Sequence, residues 1–311
     1  MSLKRVDRYN NLKIVMNLRK STKLVLAIIG IAAPLFLIGN YSGYAKSDVT
    51  PQVQTNNKTF KLVVIDPGHG GKLPGAYGKI SAEKDIVLQV AKKLKDSIEK
   101  NIPGVKAMLT RETDIDVPFH ERSNIANRNH ADLFISIHCN SANSDQRVKG
   151  KNGRYTTRTI YRPGVSGTET FVCGYNRLQR GESDVATREN ADILMEDNYQ
   201  EKYNGFDPND PSSYIIFSLL KRTYREKSIK FATYVQNEYV SKGRANRGVQ
   251  ELSLAVLAGA SMPAVLTEIG FISNPDEENY MLSSVGQGEI VTNLVDAIKR
   301  YKHGHEAIAQ R

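Results

Sequence analysis

Two cysteines in 311 residues are too few for a disulfide framework. Cys139 and Cys173 are left either as a single pair or, more simply, as two buried thiols. No apolar run reaches the roughly 20 residues that a spanning helix needs. The longest, residues 24–38 (LVLAIIGIAAPLFLI), is interrupted by Pro34, so a multi-span membrane protein is excluded. There is no H-E-x-x-H and no internal repeat. The glycine-rich stretch Gly68-His69-Gly70-Gly71-Lys72-Leu73 has neither the G-K-[ST] ending nor the G-x-G-x-x-G spacing of a phosphate-binding loop. No run of lysine and arginine forms a nucleic-acid stripe, although the formal net charge is +10. Seven cations against Asp7 alone place +6 of it in residues 1–45, leaving +4 for the remainder. No nucleic-acid partner is expected.

What is present is ordinary for a globular chain: 40% hydrophobic and 24% charged residues. The early cations followed by a short apolar run and Gly43-Tyr44-Ala45 read as a signal peptide cut after Ala45, or as an uncleaved N-terminal anchor. Either way the body of the protein is expected to be exported to the periplasm or cell envelope. Met16, just ahead of Asn17-Leu18-Arg19-Lys20, is an alternative start. Residues 46–59 are polar and aperiodic, a linker.

From Phe60 onward, short β-branched runs alternate with amphipathic segments. Strands are expected at 60–65, 105–109, 131–137, 168–173 and 264–267. Helices are expected after Ser81, which can cap the first, around 119–127, near 229–239 and from about 289 to 301. This rhythm predicts one α/β domain over 60–303, with a mostly parallel twisted sheet covered by helices on both faces. A tail follows at 304–311. Two polar stretches, 143–167 and 175–222, break the rhythm and are read as insertions; the second is too long for a simple connection.

Three expected strands end in a polar, reactive residue: His69 after the first, His138 after the third and Glu268 after the last. In a parallel sheet the carboxyl ends of the strands lie along one edge, where ligands bind. His69, His138 and Glu268 should therefore converge, with Glu83, in the first turn of the following helix, able to reach the same edge. Two imidazoles and a carboxylate suit catalytic zinc with one position left for water, and a further carboxylate can handle its proton. Each residue alone also has a structural reading, a turn histidine or an ion-paired glutamate. It is the four together that favour chemistry. The H-x-H of His303 and His305 is set aside as a metal site.

The ordered motifs Asp66-Pro67-Gly68-His69-Gly70-Gly71, Glu83-Lys84-Asp85, Leu109-Thr110-Arg111, Ser136-Ile137-His138 with Asn140-Ser141, Gly167-Thr168-Glu169-Thr170, Asn246-Arg247-Gly248 and Glu268-Ile269-Gly270-Phe271-Ile272-Ser273-Asn274 resemble the zinc-dependent N-acetylmuramoyl-L-alanine amidases (amidase type 3) of bacterial cell-wall remodelling. The resemblance covers residues 60–301 less the two insertions. It implies one Zn2+ held by His69, Glu83 and His138, Glu268 as catalytic base, and peptidoglycan as substrate. The implied reaction hydrolyses the amide between N-acetylmuramic acid and the L-alanine of the stem peptide, in wall remodelling or daughter-cell separation. Some members carry an occluding helix, displaced by an activator protein, where this chain has 175–222. By that likeness Glu189 or Glu196 is a possible autoinhibitory carboxylate. The other readings are a different zinc peptidase acting on stem peptides and a catalytically silent wall-binding regulator. No appended wall-binding module is visible.

Overall fold

A computed structural model describes residues 59–149, 154–174, 183–191, 193, 196, 198 and 224–309. The expectations for residues 1–45, the linker up to residue 58 and most of 175–222 lie outside these residues. Among the described residues, no helix is long and apolar enough to cross a membrane.

The chain runs β1 (Leu62–Pro67), α1 (Glu83–Asn101), β2 (Lys106–Leu109), α2 (Phe119–Arg128), β3 (Leu133–Asn140), β4 (Ser144–Lys149), β5 (Tyr155–Ile160), β6 (Thr168–Cys173), α3 (Ser183–Asn190), α4 (Arg225–Ser241), β7 (Asn246–Leu252), α5 (Ala255–Ala258), β8 (Ala264–Phe271), α6 (Pro275–Leu282) and α7 (Ser284–Ala309). Six strands form one sheet in the order β2-β1-β3-β8-β6-β7. All neighbours are parallel except β6 and β8, which run antiparallel. The mostly parallel α/β domain expected from the alternation is therefore present. β4 and β5 form a separate antiparallel ribbon inside the 143–167 insertion.

The two-residue side-chain period of a strand sorts the core into two layers. Val63, Ile65, Leu133, Ile135, Ile137, Val172, Val265 and Ile269 pack against α1, α4 and α7. Val64, Phe134, Phe171, Ala264 and Leu266 face the opposite way, toward α2, α5 and Ala186 of α3. The same parity carries Ser136, His138, Glu169 and Glu268 onto that second face. It also separates the cysteines: both are free and buried, Cys139 in the first layer and Cys173 in the second. They do not pair.

Several local expectations need correction. Ser81 does not cap α1, whose N-cap is Ala82 with no side-chain cap bond; its hydroxyl instead donates to Glu278 Oε1 at 2.6 Å. β7, the β4–β5 ribbon and α6 lack a clear apolar signature and were not expected. For α6 a signal existed in Asn274-Pro275: the Asn274 side chain accepts from the Asp276 and Glu277 backbone, and proline occupies the first turn. α7 continues through the expected tail boundary to Ala309. His303 and His305 thus sit two apart on a helix, about 200° around its axis from one another, and cannot share an ion.

Candidate functional site

The loop after β1 is shaped by two buried arginines. Arg111 donates to the Pro67, Gly68 and Lys84 carbonyls. Arg122 donates to Val117, Pro67 and His69 carbonyls and to Asp66 Oδ1 at 2.9 Å. Asp66 also accepts from Thr110 and Ser136. Burial alone would raise the Asp66 carboxyl, but Arg122 and the two hydroxyls outweigh it and hold the group below the usual carboxylate range. The loop backbone is thereby fixed with His69 in the left-handed region, at φ 57°, which aims its ring at β3. Gly68 permits this, because any Cβ there would strike the His138 ring.

Removing one member of a buried ion pair leaves its partner uncompensated, at a cost of about 3–5 kcal/mol. Arg122→Ala should lose stability of that order in denaturant titration of the folded protein. The Asp66 contribution is present above its unfolded pKa of about 3.9 and is lost as pH falls through the lower folded value. Denaturant midpoints that are unchanged in Arg122→Ala would show that the clamp contributes nothing.

Four side chains converge above this loop. His69 Nε2 lies 3.2 Å from Glu83 Oε2, and His138 Nδ1 lies 3.0 Å from Glu83 Oε1. Glu189, on α3, brings Oε2 to 2.9 Å from His138 Nδ1 and 3.5 Å from His69 Nε2. One ligand atom from each of His69, Glu83, His138 and Glu189 falls within 4.8 Å of the others, and all four residues are buried. Glu83 is held rigidly: the Ala76 and Cys139 backbone amides donate to its two oxygens at 2.8 Å each. Gly75, at φ 69°, leaves room for it, since a Cβ would collide with Glu83 and His69.

The electrostatics fit a cation. Burial alone would raise the Glu83 carboxyl, yet His69 and His138 outweigh it and lower it to about 2. Burial would lower His138, but Glu189 and Glu83 raise it to about 9. Two imidazole nitrogens and carboxylate oxygens at this spacing suit a divalent ion such as zinc.

Glu268 lies on β8 in register with His138 of β3 and opposite Glu169 of β6. It is fully buried, and among the described residues neither carboxylate oxygen has a hydrogen-bond partner. Arg188 places Nη2 3.9 Å from Oε1. Burial and the neighbouring Glu189 and Glu83 push the Glu268 carboxyl well above its ordinary value, against the pull of His138 and Arg188.

All four residues expected at the strand edge are thus brought together, and one of the two candidate blocking carboxylates joins them. Glu196 does not. It accepts from the Phe119 backbone at 3.1 Å and faces His120 Nδ1 at 3.6 Å, over the start of α2. Sequence reasoning missed Arg188, next to Glu189, which donates to Asn140 Oδ1 and the Ser141 carbonyl at 2.9 Å each. It also assigned no role to Asn140, Glu169, Arg247 and Gln250. Asn140 and Gln250 both donate to Glu169, and Arg247 Nε lies 3.6 Å from it. The Gly167-Thr168-Glu169-Thr170 and Asn246-Arg247-Gly248 motifs were the available signal.

Comparison with known proteins agrees with this geometry. The family model described as N-acetylmuramoyl-L-alanine amidase matches residues 63–300. The chain is 28% identical over 255 residues to N-acetylmuramoyl-L-alanine amidase AmiC of Escherichia coli O6:H1, covering 80% of this chain and 55% of that protein. It is 26% identical to AmiA of Escherichia coli K12, covering 78% of this chain and 76% of the relative. Among solved structures, AmiC2 of Nostoc punctiforme superimposes with a TM-score of 0.52 at 26% identity, over 78% of this chain and 96% of that one.

Proposed function

The chain belongs to the N-acetylmuramoyl-L-alanine amidase family, and from that premise we propose that it is a zinc-dependent enzyme cutting the amide between N-acetylmuramic acid and the L-alanine of the peptidoglycan stem. The observation that carries this reading is the juxtaposition of His69, Glu83 and His138 with a buried Glu268 carboxylate that has no hydrogen-bond partner among the described residues.

His69, Glu83 and His138 would hold the ion, which when bound would supply polarisation of the scissile carbonyl and a more acidic water. Glu268 accepts the proton of the attacking water and returns it to the departing alanine nitrogen. Arg111 and Arg122 fix the backbone of the β1 loop, and with it the placement of His69. Glu169, gripped by Asn140 and Gln250 beside Glu268, lines the same edge and orients the substrate.

Three ligands leave a position for water; a fourth side chain closes the site. Glu189 comes from the 175–222 insertion rather than from the sheet edge, so α3 acts as a plug that a partner protein withdraws. Export to the cell envelope, a role in daughter-cell separation and such an activator all belong to this reading.

The test uses zinc-loaded protein on purified peptidoglycan, with and without a chelator, and mass spectrometry of the products. Chelator-sensitive release of stem peptides with a free L-alanine amine is expected, together with about one zinc per chain. Cuts elsewhere in the stem would turn the reading to another zinc peptidase. Absence of zinc would turn it to a silent wall-binding regulator.

A further inference from the structure

The β4–β5 ribbon is unlike the rest of the molecule. It stands apart from the main sheet, and from Asp145 to Lys149 and Tyr155 to Thr159 every residue is exposed. An isolated two-stranded ribbon buries too little to be stable for its own sake. Between residues 144 and 162 the sequence carries six cations (Arg147, Lys149, Lys151, Arg154, Arg158 and Arg162) against Asp145 alone. This short segment therefore holds more positive charge than the net excess of the whole chain after residue 45.

The single acid is already engaged, accepting from Thr159 Oγ1 at 2.7 Å. Arg147, Lys149, Arg158 and Arg162 have no ion pair among the described residues. Arg147 is stacked 4.5 Å over the Tyr155 ring, and the Lys149 ammonium lies 5.9 Å from the same ring. Stacking holds a guanidinium by its face and leaves its edge of N–H donors to fork onto carboxylate. Strand alternation puts Arg147, Lys149 and Tyr155 on one face of the ribbon and Arg158 on the other. Cations on both faces suit an anionic network entered from within, not a flat membrane met by one face.

The ribbon's foot is fixed at the site. β4 begins four residues after Asn140. Ala142 N donates to Ser273 Oγ on the segment following Glu268, and Arg162 N donates to Asn143 Oδ1. From there six residues per strand extend about 20 Å, beyond the stem amide being cut.

We infer that the β4–β5 ribbon is a cationic arm that binds the free carboxylates of neighbouring stem peptides and so retains the protein on peptidoglycan. The choice of polymer rests on the amidase reading. The experiment compares the full chain with the triple variant Arg147→Gln/Lys149→Gln/Arg158→Gln. Each is pelleted with purified peptidoglycan stripped of covalently attached phosphate polymers.

At low salt the variant should be retained about tenfold more weakly, a modest contribution from each exposed charge. The gap should close near 1 M salt, where the Debye length is about 3 Å. Arg147→Lys/Arg158→Lys keeps the charge but loses the guanidinium fork, so it should pellet between the parent and the triple variant, which separates charge from any disturbance of the ribbon. Equal pelleting of parent and triple variant would overturn the inference. So would a charge-dependent difference confined to phosphatidylglycerol vesicles or to wall that still carries its phosphate polymers. Pelleting needs no turnover, so a zinc-loaded Glu189→Ala chain that binds stripped peptidoglycan but never cuts it would defeat the amidase reading and leave the arm standing.

Discussion

Glu268→Gln should abolish most hydrolysis, by about 10²- to 10⁴-fold in kcat, while leaving the zinc content unchanged. That range is what a positioned proton-transfer group ordinarily contributes. The physical case is the isolation of this carboxylate. Its two oxygens are buried without a hydrogen-bond partner among the described residues, and burial with two flanking glutamates raises its proton affinity well above the ordinary range. Glutamine has the same shape and resembles the protonated form, so the fold should tolerate it. Zinc measured by mass spectrometry under native conditions, beside the release of L-alanine-terminated peptides, separates the two roles. Loss of zinc would make Glu268 a ligand; retained turnover would remove it from the mechanism.

Glu189→Ala should act in the opposite direction. In the structure its carboxylate lies against both imidazoles and raises the Glu268 carboxyl as well, so under the proposed function it would take the position left for water and oppose ionisation of Glu268. A charge-assisted contact contributes about 1.5–3 kcal/mol. Its removal should therefore raise the activity of the full chain about 10- to 100-fold, with zinc retained by His69, Glu83 and His138. Glu196→Ala is the matched control. That carboxylate sits over the start of α2 and should leave activity near the parent value. Unchanged or lower activity in folded, zinc-loaded Glu189→Ala would sink the plug, as would equal activation by both variants.

The chemistry of this protein was legible because it follows strand ends. Runs such as 60–65, 131–137 and 264–267 declare buried strands by composition alone. Parallel pairing then aligns their carboxyl ends, so His69, His138 and Glu268 meet despite their separation in the chain. Ser81 misled because a hydroxyl before a helix reads as a cap, while the distant Glu278 claimed it. β7 and the β4–β5 ribbon were silent because polar edge and surface strands need no apolar alternation.

By itself the sequence determined the α/β class and the meeting of His69, Glu83, His138 and Glu268 at one sheet edge, since these depend on local pattern and the period of a strand. Only the tertiary structure brought Glu189 rather than Glu196 to the imidazoles, placed Arg188 beside Glu268 and parted Cys139 from Cys173. Those outcomes depend on which face of the sheet a segment packs against and on contacts between residues tens of positions apart, and no local pattern encodes them.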